Sequence, residues 1–405
     1  MRYIKRQLAA TLTRAARAFP AVVLTGPRRA GKTTLLRRLF PSAGYRLLED
    51  PAIVGAVQSD PRGFLDSLEL PVILDEIQNA PELLNYIRAR IDLGTGRKGQ
   101  WLLTGSQDFA LMHGVTESMA GRAAVLHLLP LSTVETPKVT LLRGGYPEIL
   151  ARPRDSDLWF QSYLQTYLER DVRQVSQIRE LATFRRFLAL IASRTGQILN
   201  KTDLAAPLGV SVPTITEWIG ILETTGQIVL VPPYFENFGK RLIKSPKVYL
   251  TDSGLACHLL GIDTARALSH SPFSGAIFEG FVASEIVKQQ SNLGRRRELY
   301  FFRDQRGLEV DFIVPSGARE LVLIEAKSSR TVYPDTARSM LSLAQNISNH
   351  LTRCIVVHAT TAQDEDDTAL TLGARAMSIA GLLHALRGSR KQSLNSPILA
   401  QRGRS

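Results

Sequence analysis

One stretch restricts what this chain can fold into more than any other: Gly26-Pro27-Arg28-Arg29-Ala30-Gly31-Lys32-Thr33. It comes after the apolar, strand-like run Ala21-Val22-Val23-Leu24-Thr25. It opens into Thr34-Leu35-Leu36-Arg37-Arg38-Leu39-Phe40, where Leu35, Leu36 and Leu39 recur at helical spacing. The order is strand, glycine-bounded loop, helix N-terminus. Such a loop turns successive backbone N–H groups toward one point, and the positive end of the helix dipole adds to an anion site. Gly26 through Thr34 are therefore expected to cradle the phosphates of ATP. Lys32 should reach the β- and γ-phosphates, and the Thr33 hydroxyl should sit on Mg²⁺.

The residues beyond this helix fit the α/β, parallel-sheet frame that the loop requires. Residues 45–50 read as a second strand. The run Pro71-Val72-Ile73-Leu74-Asp75-Glu76-Ile77-Gln78 ends an apolar strand in adjacent acids. Parallel strands deliver their C-terminal ends to the same sheet edge, which carries Asp75 to the magnesium and Glu76 to the attacking water. Residues 81–94 suit a helix. The run Gln100-Trp101-Leu102-Leu103-Thr104-Gly105-Ser106 is another buried strand with a polar end, from which Ser106 either touches the γ-phosphate or caps a helix. Gly121-Arg122 then precedes a last strand over 123–128.

At 405 residues the chain has room for two to four domains. Cys257 and Cys354 are far apart and lack metal-ligand spacing, which predicts reduced thiols in a cytoplasmic protein. No apolar run approaches membrane-spanning length, and Arg14 and Arg17 interrupt the only signal-like segment. A net charge of +13 favours a polyanionic partner, DNA or RNA as well as nucleotide. Part of that excess lies in an acid-free tail, residues 387–405, expected to be flexible.

Between 155 and 170 an amphipathic helix carries Leu158, Trp159, Tyr163, Leu164, Tyr167 and Leu168, whose spacing predicts core packing. A second helix is expected over about 180–194. Residues 202–231 then read as helix, tight turn, helix and strand, the order of a winged helix-turn-helix. Its second helix offers Thr214, Thr216, Glu217 and Glu223 and no cation, poor equipment for reading bases. Lys240, Arg241, Lys244 and Lys247 lie in the wing region, where they either follow a phosphate backbone or solvate a hairpin.

Further on, a helix over 278–289 precedes three strands, 298–303, 309–314 and 321–327. If the second and third form a hairpin turning about Ala318, Asp311 lies opposite Glu325, and Lys327 shares their face while Ala326 points away. Grouped carboxylates bind a hard divalent ion, and a neighbouring lysine can position water for attack on phosphorus. The plainer alternative is a sheet with cross-strand salt bridges.

The segments "GPRRAGKTT", "VILDEIQ", "LLTGSQ", "GRAAVLHLLPLS" and "GGYPE", and later "KVYLTDSGLA", "FEGFVASE", "YFFRDQRGLEVDFIV" and "LIEAKSS", cover nearly the whole chain. In that order they resemble prokaryotic AAA-type P-loop ATPases of the archaeal-ATPase-like group that carry a C-terminal domain of unknown function. The resemblance implies ATP hydrolysis and a homo-oligomeric core. It also offers Arg122 as a sensor or finger at phosphate, the alternative being a surface arginine paired with an acid. Residues 133–143 are shorter than that family's pattern, which implies a missing helical element. The helix, strand, strand order with Asp311 and Glu325-x-Lys327 resembles the PD-(D/E)xK nuclease fold, with Glu279 as its helix-borne acid.

The expected architecture is thus an AAA-type P-loop ATPase domain (1–140), a helical connector with a winged helix (141–270), a nuclease-like α/β domain (271–386) and a basic tail. The expected function is an ATPase coupling nucleotide state to a nucleic-acid module. Its rival is a non-catalytic, nucleotide-controlled regulator or scaffold.

Overall fold

A computed structural model describes residues 3–94, 96–105, 119–168, 181–234, 244–317, 319–347, 349–360 and 367–392. Ser106, Lys240, Arg241 and the turn residue Ala318 lie outside the described residues, as does most of the tail.

Five strands, β1 (Ala21–Thr25), β2 (Gly44–Leu47), β3 (Val72–Asp75), β4 (Trp101–Thr104) and β5 (Ala123–His127), form a parallel sheet in the order β2-β3-β4-β1-β5. All five residues of β1 are buried, as a strand covered on both faces requires. Val22 and Leu24 pack with Leu8 and Leu12 of the helix Leu8–Ala18 and with Leu35 and Leu36 of the helix Lys32–Leu39. Ala21 and Val23 face Leu83, Leu84 and Ile87 of the helix Leu83–Leu93. This period-2 division makes three layers and brings the C-terminal ends of β1, β3 and β4 to one edge.

The middle of the chain packs around Phe160, Tyr163, Phe184, Phe187, Trp218 and Leu222. Trp159 and Tyr163 stack with ring centroids 4.9 Å apart, so these aromatics serve the core, whereas Leu158 is exposed. The helices Lys201–Ala205 and Val212–Thr224 precede β6 (Ile228–Val231), which pairs antiparallel with β7 (Lys247–Leu250). Among the described residues no single helix is long and apolar enough to cross a membrane. Lys201–Leu208 and Val212–Thr224 pass that test only as a pair bent by 110°.

A second, mixed sheet has the order β12-β13-β11-β10-β9-β8, with β8 (Tyr300–Arg303), β9 (Glu309–Gly317), β10 (Glu320–Lys327), β11 (Leu351–His358), β12 (Asp367–Thr371) and β13 (Ala374–Met377). Half of these strands were not expected from the sequence. Strand β9 also runs on through Pro315, with a register shift at Glu320/Leu321, where a turn was expected. The helices Ser274–Asn292 and Ile379–Gln392 cover one face through Phe278, Val282, Ile286 and Leu382, against Phe312, Val314, Val322 and Ile324. On the other face, Met340 and Leu343 of the helix Arg338–Asn346 pack on Ile313, Leu321 and Leu323. The chain beyond β6 bridges to β8 at Pro233 and Phe301, fastening the middle segment to this sheet.

Buried polar contacts join the two sheets at the turn after β5. Glu285 accepts from the Thr133 backbone N–H at 2.8 Å, and Lys288 donates to the Leu131 carbonyl at 3.1 Å and to Glu285 at 3.1 Å. From the other side Arg6 pairs with Glu135 at 3.0 Å and donates to the carbonyls of Ala30 at 2.8 Å and Leu129 at 2.6 Å. The "GGYPE" signature belongs to the same junction. A Cβ on Gly145 would strike the Leu131 carbonyl, one on Gly144 would strike the Asp252 carboxyl, and Asp252 accepts from the Gly145 N–H at 2.7 Å.

The Glu135 side chain is fully buried, so Arg6→Met would leave a desolvated carboxylate without its cation. We expect a loss of about 3 kcal/mol in urea unfolding with an unchanged m-value. An unaltered midpoint would show that Glu135 is satisfied by backbone N–H groups alone.

Candidate functional site: the phosphate-loop edge and an acidic centre

At the edge where β1, β3 and β4 end, Gly26 adopts φ 140° and Gly31, which caps the next helix, φ 96°. A Cβ on Gly26 would collide with the Leu128 carbonyl, so only glycine lets the loop pass β5. Lys32 is buried and its ammonium curls onto the Gly26 and Pro27 carbonyls, 3.0 Å from each. Ala30 is buried and tied to Arg6, Arg28 lies 3.9 Å from Glu49, Arg29 (φ 63°) lies 3.6 Å from Glu148, and Thr34 is exposed.

Asp75 gathers three hydroxyls. Thr33 donates to its two oxygens at 3.0 and 2.9 Å, Tyr45 at 2.7 Å, and Thr104 donates a further short bond. Burial and the Asp75 carboxylate hold the Tyr45 phenol well above its usual range, so it stays a donor. Glu76 stands in the left-handed region at φ 60°, a strained position for a side chain of this size, with its N–H on Thr104 at 3.2 Å and its carboxylate held by Gln78 at 2.5 Å. The hydroxyl of Thr33 and the carboxylate of Asp75 are hard oxygen donors of the kind Mg²⁺ takes.

Arg122 is placed elsewhere. It precedes β5, whose parallel pairing with β1 sets Ala123 beside Ala21, at the edge opposite the loop. Four residues of strand separate the two edges, about 13 Å. Arg122 forms a two-pronged, exposed pair with Asp92, at 2.6 and 2.9 Å, so it does not reach the phosphate loop of its own chain.

In the second sheet, Ile324 pairs with Phe312, and one further step in this register sets Glu325 opposite Asp311, as the hairpin expectation had it. Lys327 lies 3.2 Å from Glu325, and the Ala326 N–H donates to Asp311 at 3.0 Å. Glu279, however, comes from the helix Ser274–Asn292, and it meets a cation that the sequence had placed in the wing. Lys247 is only 3% exposed and its ammonium lies 3.0 Å from Glu279, 2.7 Å from Glu309 and 3.9 Å from Asp311. Tyr249, on the same strand face, donates to Glu279 at 2.5 Å. Among the described residues no three His, Cys, Asp or Glu side chains gather as a metal-ligand set, and the Lys247 ammonium lies among Glu279, Glu309 and Asp311. Lys247 was expected among the wing cations, whereas its acid partners come from a helix and a strand further along the chain.

Comparison with known proteins agrees with the order of these parts. A family model described as an AAA domain matches residues 18–136, and two domains of unknown function, DUF8612 and DUF4143, match residues 135–266 and 274–377. An uncharacterised protein of Mycobacterium tuberculosis is 34% identical over 361 residues, covering 87% of this chain and 80% of its own, and one of Mycobacterium bovis gives the same figures. Among solved structures, a Walker-type ATPase of Pyrococcus abyssi aligns with a TM-score of 0.45 at 17% identity, over 64% of this chain and 96% of that one. AMPPCP-bound DnaA of Aquifex aeolicus aligns at 0.28 and 13%, over 53% and 85%. The chain belongs to the family of these uncharacterised mycobacterial proteins, and its residues 18–136 match the AAA domain.

Burial, and then the Asp311 charge, push Glu325 up to about 8 and Glu279 up to about 7. A carboxyl whose pKa is raised on folding binds its proton more tightly in the native state. Its contribution is present below the unfolded value and is lost as pH rises through the folded one. Between pH 5 and 8 the stability of the wild type should therefore fall, by at most about 1.4 kcal/mol per pH unit for each group. Glu325→Gln should flatten that slope in urea titrations across the window; an equal slope in both proteins would remove Glu325 as a source.

Proposed function

We propose that this chain, a member of the family of its two mycobacterial relatives with an AAA-domain match over residues 18–136, binds Mg²⁺-ATP at the edge formed by residues 26–34, Asp75 and Glu76, and hydrolyses it. The convergence of Lys32, Thr33, Asp75, Thr104 and Glu76 at one end of a parallel sheet carries this proposal. Backbone N–H groups of the loop and the helix N-terminus would hold the phosphates, with Lys32 leaving its two carbonyls to pair with them. Thr33 and, through water, Asp75 would hold Mg²⁺, which supplies charge neutralisation at the transferring phosphoryl group. Glu76, fixed by Gln78 and by its own backbone, would polarise the attacking water.

Contact between the loop and the rest of the chain supports a nucleotide-controlled switch. A Cβ on Gly226, just beyond the helix Val212–Thr224, would come within 3.0 Å of the Pro27 ring, and Glu223 pairs with Arg297 at 3.1 Å. A change at the phosphates thus has a packed route to the helical pair and onward to the mixed sheet. The lysine inside the acidic centre favours reading that sheet as a binding or docking part of the switch over a metal-dependent nuclease. We retain DNA or RNA as the partner class suggested by the net charge of +13, and a homo-oligomer as the assembly.

Lys32→Ala should weaken ATP binding about 10- to 100-fold by removing a charge-assisted contact. Glu76→Gln should bind ATP as the wild type does and lose at least about 100-fold in turnover. Full turnover by Glu76→Gln would reject the assigned base.

Steady-state turnover with duplex DNA, single-stranded DNA or RNA tests the partner class; stimulation by none of them would favour a protein partner. Mixing Arg122→Ala chains with Glu76→Gln chains tests whether Arg122 serves a neighbouring subunit. Recovered hydrolysis would place Arg122 in trans, and no recovery with a normal rate for Arg122→Ala alone would leave it a surface residue.

A further inference from the structure

The acidic centre of the mixed sheet is held by an internal cation. Lys247 is almost wholly buried, and taking an ammonium out of water is strongly unfavourable unless anions replace the lost hydration. Three carboxylates do so, from the helix Ser274–Asn292 (Glu279) and from β9 (Glu309 and Asp311), at 3.0, 2.7 and 3.9 Å. The Phe301 ring closes the site on another side, its centroid 5.6 Å from the ammonium.

Other groups also bind oxygens of this centre. Glu279 Oε1 accepts from both Lys247 and Tyr249, Asp311 Oδ2 from the Ala326 N–H, Glu309 Oε2 lies 3.5 Å from Arg303, and Glu325 Oε2 pairs with Lys327. Lys247 is fixed in this position from two sides. Its strand pairs with β6, whose continuation bridges to β8, and Lys247 itself bridges to Ile198. The backbone that carries the cation is therefore held at this centre.

We propose that Lys247 is the resident cation of this centre, its ammonium joining Glu279, Glu309 and Asp311 as a divalent ion would, so that the folded chain holds no Mg²⁺ or Mn²⁺ there. A metal ion and the ammonium compete for the same oxygens and repel each other, so one excludes the other. The helix and hairpin order of a nuclease-like fold is then kept while the ligand chemistry is replaced by a lysine from outside that domain, and the centre becomes a fastening between the middle segment and the last sheet. This inference is independent of the ATPase assignment, and its failure would leave that assignment untouched.

The test is Mn²⁺ titration of nucleotide-free, full-length protein, with free Mn²⁺ read by electron paramagnetic resonance. Wild type and Asp311→Asn should give the same curve. Lys247→Met should gain one Mn²⁺ per chain, and Lys247→Met/Asp311→Asn should lose it again. A wild-type site that disappears in Asp311→Asn overturns the proposal. So does a Lys247→Met protein that keeps its circular dichroism and a cooperative urea transition yet gains no site. Should Lys247→Met fail to fold, Lys247→Arg keeps the charge and should fold without an Asp311-dependent Mn²⁺ site; finding one there also overturns the proposal.

Discussion

The turn between Leu131 and Glu135 is where this molecule is held together. Buried charges reach it from opposite directions: Glu285 and Lys288 from the helix Ser274–Asn292, and Arg6 from ahead of the first helix. None of these groups tolerates burial alone, because a desolvated carboxylate or ammonium without a partner costs several kcal/mol. The two sheets are thereby fixed relative to each other by a requirement for charge satisfaction rather than by apolar area alone. Arg6 extends the same constraint to the phosphate loop, since the guanidinium that neutralises Glu135 also binds the Ala30 carbonyl.

That arrangement has a consequence for how a nucleotide could be felt at a distance. The loop touches the body at Ala30 through Arg6, at Gly26 through the Leu128 carbonyl, at Arg29 through Glu148 and at Pro27 through Gly226. Each contact belongs to a different segment. Close-packed groups of this kind do not deform continuously, so a shift of the loop about bound phosphates must be absorbed at one of them. Pro27 against Gly226 is an apolar approach, without the buried charge that ties Ala30 to Arg6.

Much of the nucleotide edge was legible in the sequence because its determinants are local. Strand, loop and helix succeed one another within residues 21–39, and an apolar strand ending in Asp75 and Glu76 delivers those acids to the same edge by parallel geometry. The hairpin register came from side-chain alternation and turn position in the same way. For Arg122 the same geometry decides between its two readings within one chain: a residue that starts a parallel strand lies at the edge away from the loop, where it pairs with Asp92. Other features were not legible. Nothing near Arg6 points to Glu135, 129 residues on, and nothing near Lys247 points to Glu279, 32 residues on. Strand β11 did have a signal, the run Ile355-Val356-Val357, but pairing it parallel to β10 needs the intervening helix Arg338–Asn346 as a crossover, which local spacing alone does not reveal.

Lys247 shows how a motif can say where acids will lie and still leave the chemistry open. An aspartate and a Glu-x-Lys pair on adjacent strands, with an acid on a covering helix, specify where carboxylates will be but not what will neutralise them. Water, a metal ion or a side chain can each fill that role, and the choice depends on which other segment is packed there. Here β7 brings a lysine whose aliphatic stem is buried and whose ammonium meets Glu279, Glu309 and Asp311. A side-chain cation is covalently tethered and cannot be withdrawn by chelation, so the centre stays neutralised for as long as β6 and β7 remain paired. The acids of the last sheet are thereby joined to the middle segment, the same segment that touches the phosphate loop at Gly226.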